Sequence, residues 1–586
     1  MAQRAFAIRP HGCELPSSDH QPGIPLRTFL PIVTLFVLVL VLASPSAVLA
    51  QRELLPATDP VYDFLFRQEL KGNIDGYHHG MLPLSRAEIA GFLDSLEGAP
   101  LSGTDRGLLR DYRVRLSYDR TASLGASSSF LPDFGFAGMF DDARQKYLYA
   151  SADSATAIFL DAFAWLSYRA GRGDSTGAAD ALLGEAGLRL RGTLMKRLGL
   201  FIQVSNGMLL GGSHDFAVLD PRLRASKKFI SDEKKFFDIT TGYLRYDADW
   251  LAVTAGRELL LWGMGYSDRM VFSNNTNPFD YFRIDLRSGG VRYTFLHGSL
   301  VSLDTNGRTA SSKYIASHRV EFDAGKAARI GISEAVIYSN KPPLFALMNP
   351  MIFLTSAELS SEAVAAGGTI DNAHNSIIWV DAEFRPLRNL RVTGTWLIDD
   401  FSWSAIGKTS VAANTNKFGV QAGAQWNDAL LDGLLLSLEY TRIGPFVQSH
   451  WTQVNSFTHS EQPLGHALQP NSDEWALAAG FDVTPRLRLG AKAQFQRSGV
   501  NITDADGRVI FDAGADILDG SSALQHPNRF LDGRRINRVF GTFSLTWQPV
   551  RQYFIDLALF TRTFSYVDEG RSLNDTMLWT TFRIEY

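Results

Sequence analysis

The chain has 586 residues, 45% of them apolar and 20% charged, with a net charge of −4 and a mean hydropathy of −0.06. That is too polar for a bundle of membrane helices and too apolar for a disordered chain, and it lacks the basic excess of a nucleic-acid-binding surface. An aromatic content of 12% and 50 glycines suit many short strands joined by turns.

Residues 29–43 form an apolar run preceded by Arg27, and small residues come after it up to Ala50. Val48 and Ala50 fit the positions before a signal-peptidase cut, so residues 1–50 read as a signal peptide and the mature chain begins near Gln51. The alternative is an uncleaved anchor helix. The single cysteine, Cys13, leaves with the leader, which excludes disulfides and cysteine-ligated metal from the mature chain. No metal or other cofactor is expected. Three basic and two acidic residues leave with the leader, taking the net charge from −4 to −5.

Residues 51–120 read as a small helical head. Proline at position 60 opens a helix that carries Val61, Phe64, Leu65 and Leu70 at helical spacing. Ser85 and Glu88 form a capping box before Ile89, Phe92, Leu93 and Leu96. A third helix is expected from Thr104 to about Ser117, with Leu108, Leu109, Tyr112 and Leu116 on one face. In a secreted barrel protein such a head lies in the periplasm against the barrel mouth, where its expected role is packing or assembly. Residues 121–154 connect this head to the strand-rich remainder of the chain.

From about residue 155 to 586 the period changes from 3.6 to 2. Leu487, Leu489, Ala491, Ala493 and Phe495 alternate with Arg488, Gly490, Lys492, Gln494 and Gln496, and the same pattern holds for Phe418–Trp426 and Trp475–Val483. Short turns are expected at 196–197, 247–248, 297–298, 323–328, 386–389, 427–433, 484–485 and 548–551. Long loops are expected at 169–183, 206–236, 262–288, 306–313, 339–375, 400–416, 444–473, 497–536 and 565–575. Nine loops alternating with eight turns give a transmembrane antiparallel β-barrel of about 18 strands, an all-β fold with a small N-terminal α-helical bundle. The terminus agrees. Leu578, Thr580, Phe582, Ile584 and Tyr586 share one face of the last strand, the aromatic-ended signature of an outer-membrane strand handled by the barrel-assembly machinery.

The inward face is rich in charge: Glu185, Arg189, Arg191, Glu439, Arg488, Lys492, Asp556, Arg562, Arg583 and Glu585. Such a lumen is either a conducting pore or one knitted shut by ion pairs. Enzyme signatures are absent: there is no nucleophile elbow, Walker loop, zinc-protease helix or dinucleotide fingerprint. Asp504, Asp506 and Gly507 are a fragment of a calcium-loop pattern that also suits a turn. The loops carry more signal. Loop 206–236 holds His214, Arg222, Arg224, Lys227 and Lys228; loop 444–473 holds His450, Trp451, His459 and His466. Rings that stack on sugars and cations that meet uronate carboxylates make a candidate surface for acidic polysaccharide. The competing reading is ordinary loops whose cations meet lipopolysaccharide phosphates.

Several segments together resemble the Wzi family of outer-membrane capsule-assembly proteins. They are the Pro83–Ile89 stretch, Trp262-Gly263-Met264-Gly265 with Asn274 and Asn275, His318-Arg319, Glu334, Tyr338, Asn349-Pro350, and Gly465-His466. The resemblance implies an eighteen-stranded barrel with a periplasmic helical bundle, and a lectin-like, non-enzymatic role in holding acidic capsular or extracellular polysaccharide at the cell surface. For Trp262, Gly263, Gly265, Asn274, Asn275, His318, Arg319, Glu334, Asn349 and Pro350 the expected role is structural, fixing loops and lumen. The alternative function is a general or oligosaccharide-selective porin. Loops 339–375 and 497–536 have no assigned role.

Overall fold

A computed structural model describes residues 51–116, 129–130, 139–153, 155–224, 226, 228–232, 234–302, 312–357, 374–401, 416–518 and 529–586. The leader and Lys227 lie outside the described residues.

Eighteen antiparallel strands close into a barrel. In chain order they are β1 (Ala157–Gly173), β2 (Gly177–Leu194), β3 (Leu198–Gly212), β4 (Phe236–Asp247), β5 (Leu251–Arg257), β6 (Asp280–Ser288), β7 (Val291–Leu300), β8 (Lys313–Asp323) and β9 (Ala328–Ser339). They continue as β10 (Asn375–Leu387), β11 (Leu390–Asp400), β12 (Lys417–Asn427), β13 (Leu434–Ile443), β14 (Ser472–Thr484), β15 (Leu487–Val500), β16 (Arg534–Val550), β17 (Tyr553–Tyr566) and β18 (Arg571–Glu585). Strand β18 pairs with β1 from Asp575↔Gly173 to Glu585↔Phe163, so no sheet edge is left for lipid to meet.

Alternation sets the two faces. Leu166, Leu188, Leu244, Leu438, Leu477, Val539, Leu559 and Leu578 point outward and remain accessible. Trp396, Trp475 and Tyr168 form a girdle toward the loop end, while Trp426, Trp547, Phe384 and Phe582 form one toward the turn end. In β18, Arg583 turns inward to meet Asp556 at 3.3 Å, and the Tyr586 hydroxyl donates to the Met139 carbonyl at the rim.

Seven of the eight expected turns fall where the spacing put them. The eighth does not: His297 and Gly298 lie inside β7, and the turn is Gly289-Gly290, with Gly289 in the left-handed region. Several loops are also shorter than expected: β6 takes up residues 280–288 of the loop expected at 262–288, and β3 runs to Gly212 within the one expected at 206–236. Strands β1 and β2 run on to residues 174–176, and β17 and β18 to residues 567–570. Above the membrane both faces of a strand meet water, so the apolar alternation that marks a strand fades while its hydrogen-bond ladder continues.

The helical head is α1 (Val61–Leu70), α2 (Arg86–Ser95) and α3 (Gly103–Arg115). The Ser85–Glu88 capping box forms with both reciprocal bonds, and Ser102 caps α3 through Asp105. Val61, Phe64, Leu65, Ile89, Leu93, Leu108 and Leu116 make its core. The head docks on the turn end of the barrel. The Asn389 N–H donates to the Leu70 carbonyl at 2.8 Å, Arg67 donates to the Gly433 carbonyl at 3.0 Å, and Arg551 donates to Asp111 at 2.7 Å.

Candidate functional site

The lumen is occupied by the chain itself. Residues 258–279, between β5 and β6, fold inward. Leu261-Trp262 pairs as a short ladder with Met81-Leu82 of the segment between α1 and α2. Trp262, Met270 and Phe272 then pack against the inward side chains Ile337, Ile377, Trp379 and Leu397 of the wall. The wall grips the backbone of this plug. Glu439 accepts the Tyr266 and Ser267 N–H groups at 2.7 and 2.6 Å, and Arg391 donates to the Met264 carbonyl at 2.8 Å. Gly265 is required here, because a Cβ would stand 2.4 Å from the Asp268 carbonyl oxygen and 2.5 Å from Gln421. Asn275 reaches across to the Gly465 carbonyl at 2.6 Å, whereas Asn274 is exposed to a cavity of about 310 Å³ that Tyr62, Asp63, Tyr266 and Lys492 also line.

Beneath the plug a set of fully buried arginines joins strand to strand and barrel to head. Arg319 makes a bidentate pair with Asp381 at 2.8 Å and also binds Glu321 and Ser333. Arg329 binds Asp323, Glu383, Glu69 of α1 and the Tyr77 carbonyl. Arg391 joins Glu383 and Gln425 and lies over the Phe66 ring. Of the two readings of a charged lumen, this half of the barrel is knitted shut by ion pairs.

Glu258, at the root of the plug, is almost fully buried and takes its hydrogen bond from the Leu259 N–H. Burial pushes its carboxyl up to about 7. A folded-state value above the ordinary 4.5 means a penalty that is absent below pH 4.5, grows as the pH rises toward 7 and is full above it. Glu258→Gln is therefore expected to raise the melting temperature at pH 8, the gain being up to about 3 kcal/mol, and to change nothing at pH 4.5. Thermal unfolding of the two proteins across that range checks it.

The loop end is covered by folded loops. In residues 213–235, His214 uses its ring on the Phe229 carbonyl at 2.9 Å and packs tilted against the Phe229 ring. Phe216 sits against Gly171 and Met577, and Arg169 pairs with Asp220 at 2.7 Å, closing this loop over β1 and β18. Arg222 and Arg224 are exposed, and Lys228 lies 3.9 Å from Asp238. In residues 444–471, His459 is buried against Phe279, accepts the Val301 N–H at 3.0 Å, and has its pKa pulled down to about 3 by that burial. His466 is buried too, accepts the Leu468 N–H, and stands 3.7 Å from Asp268 and 3.9 Å from Glu474. Trp451 is 56% exposed, with the half-buried His450 beside it. So four of the predicted ring and cation residues, His214, His450, His459 and His466, spend ring nitrogens on the protein. Arg222, Arg224 and Trp451 face solvent, on loops that leave the closed ring eight strands apart by the shorter way round. Asp504 caps a turn by accepting the Asp506 and Arg508 N–H groups.

One group of motif residues is neither in the lumen nor at the loop surface. Arg319 points inward, so its neighbour His318 points outward, as does Glu334 opposite it. There His318 meets Glu334 at 2.7 Å, and Glu334 also accepts the Leu354 and Thr355 N–H groups at 2.9 and 2.7 Å. Tyr293, outward on β7, donates to the Pro350 carbonyl. Asn349 steadies the bend by accepting the Met351 N–H at 3.0 Å. Residues 340–357 thus lie down on the outside of the barrel wall. Parity along β8 was the signal available in the sequence: His318 and Arg319 are adjacent, and only one of them can face the lumen.

The family description Capsule assembly protein Wzi matches residues 167–527, more than half of the chain. The chain belongs to the Wzi family. Among solved structures, this family member is similar to Wzi of Escherichia coli, an outer-membrane protein involved in group 1 capsule assembly and described as a carbohydrate-binding β-barrel: 14% identity, a TM-score of 0.54, and coverage of 92% of this chain and 99% of that one. OccAB4 of Acinetobacter baumannii and OpdK of Pseudomonas aeruginosa align over 73% of this chain and 98% and 99% of theirs, at 10% identity, with TM-scores of 0.42 and 0.41. Among curated protein sequences none matches the chain. The fold is that of the family, an eighteen-stranded outer-membrane barrel carrying a helical bundle.

Proposed function

We propose that this family member binds and organises capsular or other extracellular polysaccharide at the cell surface, without catalysis and without conducting solute. The observation that supports this best is a barrel of a capsule-assembly family whose lumen is entered by residues 258–279 and knitted on one side by buried arginines, under a loop end that presents Trp451, Arg222 and Arg224. A tryptophan face stacks on a sugar ring and guanidinium groups take up uronate carboxylates, so acidic glycans are the expected class. In this reading the turn end and its helical head face the periplasm, the last strand is read by the barrel-assembly machinery, and lipopolysaccharide surrounds the loop-side girdle.

The test uses the purified full-length chain with immobilised acidic capsular polysaccharide, beside a capsule-retention assay in a deletion strain. Binding is expected to weaken about tenfold on Trp451→Ala and to acquire less salt dependence on replacing Arg222 and Arg224 with alanine. Unchanged capsule retention, with no glycan bound by the purified barrel, sinks the proposal.

A further inference from the structure

The outer wall of β7–β9 departs from the lipid-facing pattern of the rest of the barrel. Phe295, Ala316, Val336 and Tyr338 are outward positions, yet all four are buried. What covers them is the segment 340–357, through Leu347, Leu354 and Ala357, which are themselves buried against that wall.

The covering segment has a second face. Residues 342–357 contain no charged side chain and eight large apolar ones. Those not spent on the wall are turned away from it: Phe345 is 88% exposed, Met351 82%, Phe353 53% and Met348 43%. So much apolar surface on one short strap is unfavourable in water, by about 25 cal/mol for each Å².

Its height on the barrel identifies what it meets. The strap descends from the loop end at Tyr338 to Glu334, roughly 13 Å along the strand at 3.3 Å per residue. Two residues further down, Ile332 is again accessible; it pairs with Val380, which pairs with Trp396 of the loop-side aromatic girdle. The exposed face of the strap is therefore continuous with the belt that touches lipid. The Glu334 carboxylate holds it there, receiving His318 from one side and the strap backbone at Leu354 and Thr355 from the other. A carboxylate can stand on the outside of a barrel wall only because these donors shield it from the apolar surroundings.

From this continuity we infer that segment 340–357 is an in-plane membrane element, inserting Phe345, Met351 and Phe353 among the acyl chains of the outer leaflet. It replaces the lipid-facing side chains of β7–β9 with its own and widens the barrel's grip on the membrane at one arc.

Site-directed labelling of the full-length chain tests this. Phe345→Cys and Met351→Cys, each carrying an environment-sensitive fluorophore, are reconstituted in phosphatidylcholine vesicles whose acyl chains are brominated close to the headgroup. Ile332→Cys serves as the lipid-facing reference and Asp506→Cys as the aqueous one. The expected result is a loss of emission at 345 and 351 that matches the Ile332 label, with little quenching by aqueous iodide. Labels at 345 and 351 that behave like Asp506 instead, quenched by iodide and untouched by bromine, overturn the inference. So does protection that appears only when a second protein or an added glycan is present. As all four sites are surface positions, retained heat-modifiable migration confirms that each labelled barrel is folded. A Glu334→Ala variant of the Met351→Cys chain is expected to lose part of the bromine quenching as the strap lifts.

Discussion

Arg329→Leu is expected to loosen the helical head from the barrel by roughly 3–5 kcal/mol while leaving the barrel closed. The guanidinium is fully buried and spans three parts of the chain: Asp323 at the turn beside it, Glu383 on β10, and Glu69 with the Tyr77 carbonyl in the head. Leucine fills much of the volume but leaves Glu69 and Glu383 as buried carboxylates with one cation fewer. Arg385 still reaches Glu69 at 3.1 Å and Arg391 still reaches Glu383 at 3.0 Å, which places the loss toward the lower end of that range. The deficit carries a pH signature. Burial already pushes the Glu69 carboxyl well above the ordinary carboxylate range, and removing a cation pushes it further. A raised folded value is a penalty present at high pH and absent once the carboxyl is protonated in both states. The variant is therefore expected to be worst above neutrality and to recover toward pH 4.5, and Glu69→Gln is expected to restore part of the loss at pH 8. Limited proteolysis of residues 61–116, beside heat-modifiability of the barrel, separates head from wall. Equal protease resistance of both proteins at pH 8 would show that the arginine joins the two parts without holding them.

Eighteen strands are countable from the sequence because lipid on one side and polar groups on the other impose strict alternation over the membrane-crossing part of each strand. Where that constraint lapses the reading fails. The upper ends of β1, β2, β17 and β18 are rich in small, polar and charged residues without strict apolar alternation and look like loop. The pair Gly289-Gly290 is a better turn signal than His297-Gly298, since a tight turn needs positive φ and a histidine facing outward in β7 does not mark one. Of the motif residues, Trp262, Gly263 and Gly265 are recognisable as a unit, but their location is not. Nothing in a local pattern says that residues 258–279 turn into the lumen, because their partners, Glu439, Arg391 and Met81, are distant in the chain. The loop histidines mislead for a related reason. A histidine flanked by polar residues resembles a surface ligand whether it faces solvent or, like His459, accepts a backbone N–H from another loop.

Excising residues 258–279 is expected to turn a silent barrel into a conducting one. The register makes the excision feasible: Arg257 and Asp280 are directly paired neighbours on β5 and β6, so a two-residue Asn-Gly turn can join them without disturbing the ladder. The deletion removes Trp262, Met270 and Phe272 from between the walls. It also removes the Met81–Trp262 ladder and the Arg269 bond to the His79 carbonyl, through which the plug steadies the head. Glu439 and Arg391, freed of the plug backbone, then face water within the lumen and have no reason to refold across it. In planar bilayers the full-length chain is expected to show no steady current at any voltage that leaves the membrane intact, and the excised variant to show discrete open steps. The contrast bears directly on function. A steady current from the unaltered chain would return it to the porins, with the buried arginines as a selectivity lining. A silent excised variant that is still heat-modifiable would mean that the head and the outer loops seal the barrel without the plug. Currents that appear only on excision fit a protein whose barrel serves as an anchor, with its working surface on the loops above.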